Sequence, residues 1–151
     1  MRFRRILYPT DFSENAAAAW PVALQMAEQL GAVLFLLHVA PGPSPTPETF
    51  LAAEQWREII AAQRTEAEAE LRALVSNAPD VKAEILVTRG VPFLEIVRVA
   101  AERKVDLIVM GTHGRTGLAH ALLGSVAEKV VRMAACPVLT VRHAATRVQA
   151  A

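Results

Sequence analysis

The sequence predicts a single-domain α/β protein: an open, parallel, five-stranded sheet with helices on both faces. Short apolar segments alternate along the chain with stretches whose apolar residues recur at helical spacing, which is typical of β-α-β units. The second segment, 32–39, is apolar almost throughout, as expected of a strand that helices cover on both sides. At 151 residues, the chain has the length of one domain.

The first strand is predicted to run into a helix through a tight turn. The strand ends at Pro9, and Ser13 is a candidate N-cap that precedes an apolar pattern of helical spacing. Gly31 is a candidate C-terminal stop. We therefore expect one helix between Ser13 and Gly31, with the second strand directly after it.

A proline-rich loop and a long helix are expected next. Four prolines alternate along 41–47, which excludes helix and sheet interior and predicts an exposed flap. Residues 48–77 have a helix-forming composition with apolar residues along one side. The following strand, 82–89, alternates polar with apolar residues at its start, which favours a position near the sheet edge.

The C-terminal half continues the alternation of helices and strands. A third helix is predicted from Pro92 to Arg103, a fourth strand over 105–110, and a further helix from Ser125 that Pro137 ends. The last strand is predicted at 138–142. We place the domain at 1–143 and expect a loose tail at 144–151.

Charge and composition argue against several classes of function. Sixteen basic and fifteen acidic residues leave a net charge of +1, so no overall field would attract nucleic acid or a membrane surface. The apolar runs are too short for a membrane helix, and the single cysteine, Cys136, excludes a disulfide-rich secreted fold. We expect a soluble, cytoplasmic protein in which Cys136 is a small buried hydrophobe.

Glycines are concentrated between the fourth strand and the helix at Ser125. Strand four ends at Met110, and the glycines that follow are Gly111, Gly114, Gly117 and Gly124. Glycine permits positive φ and close approach of a ligand to the main chain, and a helix N-terminus attracts anions. We expect the segment 124–126 to hold phosphate oxygens, with charge-assisted contacts from His113 and Arg115. The spacing matches neither a Walker A loop nor a Rossmann fingerprint.

Other polar residues have both a structural and a functional interpretation. Asp11 could bind a ligand or could only form the turn, and His38 is best explained as a satisfied structural histidine. The basic cluster Arg2, Arg4 and Arg5 is better explained as a solvated strand end than as a nucleic-acid site. No histidines and carboxylates have metal-ligand spacing, so Mg²⁺ or Mn²⁺ is expected only on nucleotide phosphates.

These motifs together resemble those of the universal stress protein family. The glycine spacing is G-x2-G-x9-G-S, and the turn 9–13 follows the first strand. His38-Val39 after strand two and the segment 136–141 match as well, so the resemblance extends from Ile6 to Val141. The resemblance implies an adenine-nucleotide fold with strand order 3-2-1-4-5 and membership of the ATP-binding branch.

The resemblance also implies which residues contact ATP, ADP or AMP. At the adenine and ribose end, these are Asp11 with Pro9 and Thr10, the backbone of Val39, and Met110 and Gly111. Around the phosphates, they are His113, Gly114, Arg115, Gly124, Ser125 and Val126. Ala127 stands where some ATP-binding members carry a threonine, so we expect weaker binding there.

Three functions remain open from the sequence. The first is a stress-response or signalling module, in which nucleotide occupancy alters the loops around the flap and hence the binding of a protein partner. The second is a slow ATPase using Arg115, His113 and a phosphate-borne metal, although no residue is assigned as catalytic. The third is a nucleotide-independent interaction protein. The resemblance and the apolar last strand, Val138 to Val141, both predict a homodimer.

Overall fold

The computed structural model of the chain describes residues 2–42, 53–114 and 123–144. The strands are β1 (Arg5–Pro9), β2 (Val33–Ala40), β3 (Ala83–Arg89), β4 (Leu107–Gly111) and β5 (Val138–Val141). The helices are α1 (Glu14–Ala17), α2 (Trp20–Leu30), α3 (Ala53–Ser76), α4 (Pro92–Glu102) and α5 (Ser125–Met133). Strands and helices therefore alternate as the sequence predicts.

The five strands form one parallel sheet in the order β3-β2-β1-β4-β5, which confirms the predicted fold class. The central strand β1 pairs with β2 on one side and with β4 on the other. Successive connections run outward to β3 and then return past β1 to β4, so the strand order reverses between β1 and β4. In sheets of this kind a crevice opens at that point, beyond the carboxyl ends of the strands.

Two apolar layers enclose the sheet. Ile6 and Tyr8 point to the face covered by α2 and α3, where Leu71 is fully buried. Leu7 and Ile108 point to the opposite face, where they pack with α4 and α5. Because successive side chains of a strand alternate between faces, both faces of the central strands are apolar. This confirms helices on both sides of the sheet.

The predicted first helix is wrong in one respect, because it consists of two helices. Ser13 caps α1 by accepting a hydrogen bond on Oγ from the N–H of Ala16, 3.1 Å away. The helix ends at Ala17, and α2 starts again with Pro21 in its first turn. Proline has no N–H and its ring would clash with the carbonyl four residues earlier, so a continuous helix is excluded here. Gly31 ends α2 with φ 60°, as predicted.

The structure also locates the edge strands and Cys136. β3 and β5 lie at the two edges of the sheet, as the sequence predicts. Cys136, expected to be buried, is only half-buried just before β5, and this burial raises the pKa of its thiol. Most of the predicted flap and the start of the long helix (43–52), and the tail 145–151, lie outside the described residues. Among the helices that are described, none combines the length and apolarity needed to cross a membrane.

Tyr8 joins the central strand to the broken helix. Its ring is 1% exposed and packs against Trp20 with ring centroids 5.4 Å apart. The phenol donates a hydrogen bond to the carbonyl of Ala16, 3.1 Å away, which also accepts from the N–H of Ala19. Burial raises the pKa of this phenol above its ordinary value of 10.0.

We expect Tyr8→Phe to lower the free energy of unfolding by about 1 kcal/mol at neutral pH, because one buried hydrogen bond is lost while Ala16 retains a second donor. Since the folded-state pKa is raised, the phenol's contribution to stability is present below pH 10.0 and is lost as the pH rises through the folded-state value. The difference between wild type and variant should therefore shrink above pH 10.0. Urea unfolding at several pH values measures this.

Tyr8 is the single tyrosine of the chain, so ultraviolet absorbance of the phenolate reports its ionisation directly. Titration of the native protein at or below the ordinary tyrosine pKa would contradict the burial argument.

Candidate functional site

A cleft opens at the carboxyl ends of β1 and β4, where the strand order reverses. Its volume is about 580 Å³, counting the space that is open to solvent. The predicted site residues that line it are Pro9, Thr10, Asp11, Val39, Met110, Gly111, His113, Gly114 and Val126. Gly124 and Ser125 lie at the start of α5 and are not among its lining residues, and Arg115 lies outside the described residues.

The turn after β1 is held by its own side chains. Thr10 Oγ1 accepts the N–H of Phe12 at 3.0 Å, and Asp11 Oδ1 accepts the N–H of Ser13 at 3.0 Å. The N–H of Thr10 donates to the carbonyl of Leu37 in β2 at 2.8 Å. Asp11 thus forms the turn, as its structural interpretation predicts, and also lines the cleft.

The segment after β4 packs directly on the turn and on α1. A Cβ atom at Gly111 would lie 2.5 Å from the carbonyl oxygen of Asn15, and one at Gly114 would lie 2.6 Å from Oδ2 of Asp11. The side-chain amide of Asn15 donates to the carbonyl of Gly114 at 3.4 Å. Glycine at 111 is therefore required by a backbone contact within the chain itself, whereas the contact at Gly114 involves the end of the Asp11 side chain.

The glycines described in this segment do not have the positive φ angles that the sequence predicts for them. Gly111, Gly114 and Gly124 all lie outside the left-handed region, which Gly31 and Gly90 occupy elsewhere in the described residues. The missing side chain matters here because backbones approach closely. The interpretation was incomplete because glycine spacing in a sequence does not distinguish close approach from unusual dihedral angles.

The start of α5 faces the end of β4. Gly124 is its N-cap and supplies no side-chain hydrogen bond to the helix. Its own N–H donates to the carbonyl of Thr112 at 2.7 Å, so this amide is already engaged within the protein. The N–H of Glu128 donates to the carbonyl of Gly124, as in a regular first turn. The first-turn amides at 125–127 carry the partial positive charge of the helix end.

Two histidines flank the site in different ways. His113 lines the cleft, and its Nδ1 lies 3.0 Å from the hydroxyl of Thr112. His38 belongs to β2, and its Nδ1 lies 2.9 Å from the carbonyl of Thr10, which agrees with the structural role predicted for it. Within the described residues, no group of three or more His, Cys, Asp or Glu side chains could hold a metal ion.

Part of the cleft wall was missed by sequence reasoning. The missed residues are Ala16 of α1, Leu37 of β2, and Pro92 and Ile96 of α4. Ala127 of α5, the position already expected to weaken binding, completes this part of the wall. In the sequence, Pro92 indicates only a helix start, and Ile96 carries no signal of a site. These residues make the cleft largely apolar. Among the described lining residues, Asp11 is the one with a carboxylate. Such a cleft suits a flat apolar ring with a polar or anionic extension.

The chain matches known proteins over almost its whole length. The model of the universal stress protein family matches residues 2–142. Universal stress protein MJ0531 of Methanocaldococcus jannaschii is 38% identical over 143 residues, covering 93% of this chain and 82% of that protein.

Solved structures agree in fold. The structure of MJ0577, also from Methanocaldococcus jannaschii, has a TM-score of 0.83 and 32% identity, covering 97% of this chain and 100% of that one. A universal stress protein solved in complex with cAMP has a TM-score of 0.63 and 25% identity, covering 94% of this chain and 98% of that one.

We expect Gly111→Ala to lower the free energy of unfolding by about 1–3 kcal/mol, because the added methyl group meets a backbone oxygen that cannot rotate away. Gly42→Ala is the matched control, since a Cβ atom there meets nothing within 4 Å. That control should change stability by no more than about 0.5 kcal/mol. Urea unfolding of both variants measures the difference. Equal midpoints would show that β4 and α1 are not packed this closely.

Proposed function

This chain belongs to the universal stress protein family, and from that premise we propose that it binds an adenine nucleotide, preferentially ATP, in the cleft between β1 and β4. The observation that carries the proposal is the pairing of an apolar cleft with a helix start inside one crevice. The apolar part suits a purine ring, and the helix start suits phosphate.

The nucleoside is proposed to lie against β1, β2 and α4. Val39, Pro92 and Ile96 offer an apolar surface against which a base can pack. A carboxylate accepts hydrogen bonds from ribose hydroxyls or from an exocyclic amino group, so Asp11 is the proposed polar partner. Its position is fixed by the bond from the N–H of Ser13 to its other oxygen.

The phosphates are proposed to lie at the first turn of α5. The amides of Ser125 and Val126 are the proposed donors there, together with His113, Gly114 and, by family resemblance, Arg115. Because the Gly124 amide donates to Thr112, we assign Gly124 the role of bringing the helix start close to the β4 segment. Any Mg²⁺ or Mn²⁺ would be held by the phosphate oxygens.

A universal stress protein that is 25% identical to this chain was solved in complex with cAMP, and this supports an adenine nucleotide as the ligand. cAMP and ATP share the adenine ring and the ribose and differ in their phosphates. The nucleoside half of the proposal therefore rests on both the cleft and the relative. The preference for ATP rests on the α5 start and on the glycine motif of this chain.

We propose a binding function, in which nucleotide occupancy changes how the protein engages a partner during a stress response. Asp11 is assigned to the nucleoside, and the other described lining residues include no carboxylate that could activate water. A phosphate-release assay on purified protein tests the alternative, slow hydrolysis. Turnover that Arg115→Ala abolishes would favour an ATPase, whereas turnover that is unchanged in this variant would indicate contamination.

The protein is also proposed to form a homodimer through β5. This strand lies at the sheet edge, where its outer backbone groups can pair with a second copy. Leu139 in this strand is 37% exposed, which is a large fraction for an apolar side chain in a sheet.

We expect Asp11→Asn to weaken ATP binding about tenfold, because the amide retains the oxygen that accepts from Ser13 but loses the charge that strengthens hydrogen bonds to the nucleoside. Isothermal titration calorimetry of wild type and variant measures this. Glu102→Gln, at the exposed far end of α4, is the charge-matched control and should leave the affinity unchanged. A wild-type protein that retains no ATP at millimolar concentration would overturn the proposed function.

We expect Leu139→Glu to convert the dimer to a monomer, because a carboxylate would be buried against its own copy across the two-fold axis. Leu94→Glu on α4, a comparably exposed leucine, should remain dimeric. Sedimentation equilibrium measures both. A wild-type protein that is monomeric at tens of micromolar would contradict the assignment of β5 as the interface.

A further inference from the structure

His38 reaches from β2 to the turn after β1. Its Nδ1 lies 2.9 Å from the carbonyl oxygen of Thr10. Its ring stacks on Phe12, with centroids 4.5 Å apart and planes inclined by 26°. The ring therefore makes two different contacts with the same turn, one polar and one apolar.

The polar contact fixes the protonation pattern of the imidazole. A carbonyl oxygen only accepts hydrogen bonds, so Nδ1 carries the proton and donates. In the neutral ring, Nε2 then holds the lone pair. A ring packed without this bond would have no reason to prefer the proton on Nδ1.

The hydrogen bond acts on the peptide group that precedes Asp11. The carbonyl of Thr10 belongs to the Thr10–Asp11 peptide, and rotation of that peptide would turn the Asp11 side chain away from its present direction. The N–H of Thr10 is held as well, by the carbonyl of Leu37 at 2.8 Å. Consecutive residues of β2, Leu37 and His38, therefore hydrogen-bond to both backbone polar groups of Thr10.

His38 contacts the turn from the face of the sheet opposite to the cleft. Leu37 and Val39 line the cleft, and because strand side chains alternate, His38 between them projects to the other face. There it meets Phe12, which packs with the α2 and α3 layer. His38 is therefore not among the residues that line the cleft. It lines a second cavity beside α3, which shares Asp11, Val39 and Pro92 with the cleft.

We propose that His38 is a positioning residue for the nucleotide site, which holds the Thr10–Asp11 peptide so that the Asp11 carboxylate faces the nucleoside. The inference rests on the proposed function and deepens it. By this inference, His38 increases the affinity for the nucleotide although its side chain does not contact the nucleotide. The ring's second contact supports Phe12, whose φ of 62° is unfavourable for a residue with a side chain.

Two substitutions separate the two contacts. His38→Asn keeps an N–H donor at the place of Nδ1 and removes the ring. His38→Phe keeps a ring for Phe12 and removes the donor. A merely structural role for His38 predicts that the variant with the poorer packing, His38→Asn, is the more damaged in every measurement.

We expect calorimetry to show ATP affinity about tenfold weaker in His38→Phe and within about threefold of wild type in His38→Asn, since the carbonyl of Thr10 loses its partner only in the first. Urea unfolding should show the opposite order of stability, with His38→Asn the less stable variant. Nitrogen-15 NMR of wild-type imidazoles without nucleotide should show His38 protonated on Nδ1 at neutral charge. The NMR measurement needs no variant to fold.

The possible failures are distinguishable. Wild type that does not bind ATP overturns the proposed function, and this inference with it. Wild type that binds ATP while His38→Phe binds equally well overturns the positioning role alone. Protonation of neutral His38 on Nε2 also overturns it, whatever the nucleotide affinities are.

Discussion

The site depends on the close packing of the end of β4 against the start of α1. A Cβ atom at Gly111 would come within 2.5 Å of the carbonyl oxygen of Asn15, so only glycine allows the two backbones to lie this near. Gly114 extends the contact to the carboxylate of Asp11. A larger side chain at Gly111 would require the backbone of β4 or of α1 to shift, whereas one at Gly114 would displace the carboxylate of Asp11. The shape of the cleft is therefore set by contacts within the chain before any ligand is considered.

This constraint changes the meaning of the glycine motif. The spacing G-x2-G-x9-G-S predicts a phosphate site, and the described glycines do border the crevice and the start of α5. Their immediate neighbours, however, are Asn15, Asp11 and Thr112 rather than open space. The motif brings a helix start, a strand end and a turn together. The phosphate binding that we propose for this motif would then come from the helix end that it presents.

Much of the fold can be predicted from the sequence because its signals are local. Ser13 caps a helix within three residues of itself, and Gly31 ends one through its own dihedral angle. The break at Pro21 is also local, but the apolar pattern continues across it, and that pattern favours one helix. Periodicity describes which side chains are buried and does not reveal whether the backbone hydrogen bonds are continuous.

The site is less accessible to sequence reasoning because its walls come from distant segments. The turn after β1 and the segment after β4 carry recognisable residues, whereas Pro92 and Ile96 join the cleft only through the packing of α4 on the sheet. The partner of the Gly124 amide is equally unpredictable, since its carbonyl belongs to Thr112, twelve residues earlier in a segment without regular spacing. Such contacts depend on how elements pack, and one sequence does not specify that packing explicitly.

The end of one strand in a parallel sheet also places side chains on both faces of the sheet. In β2, Leu37 and Val39 line the cleft, while His38 between them hydrogen-bonds to the carbonyl of Thr10 in the turn after β1. Alternation of side chains therefore separates the residues that meet a ligand from those that fix the shape around it. By the positioning role that we propose, a substitution of His38 would alter nucleotide binding although His38 does not line the cleft. For this reason, a search for site residues that stops at the cleft wall omits part of what determines the site.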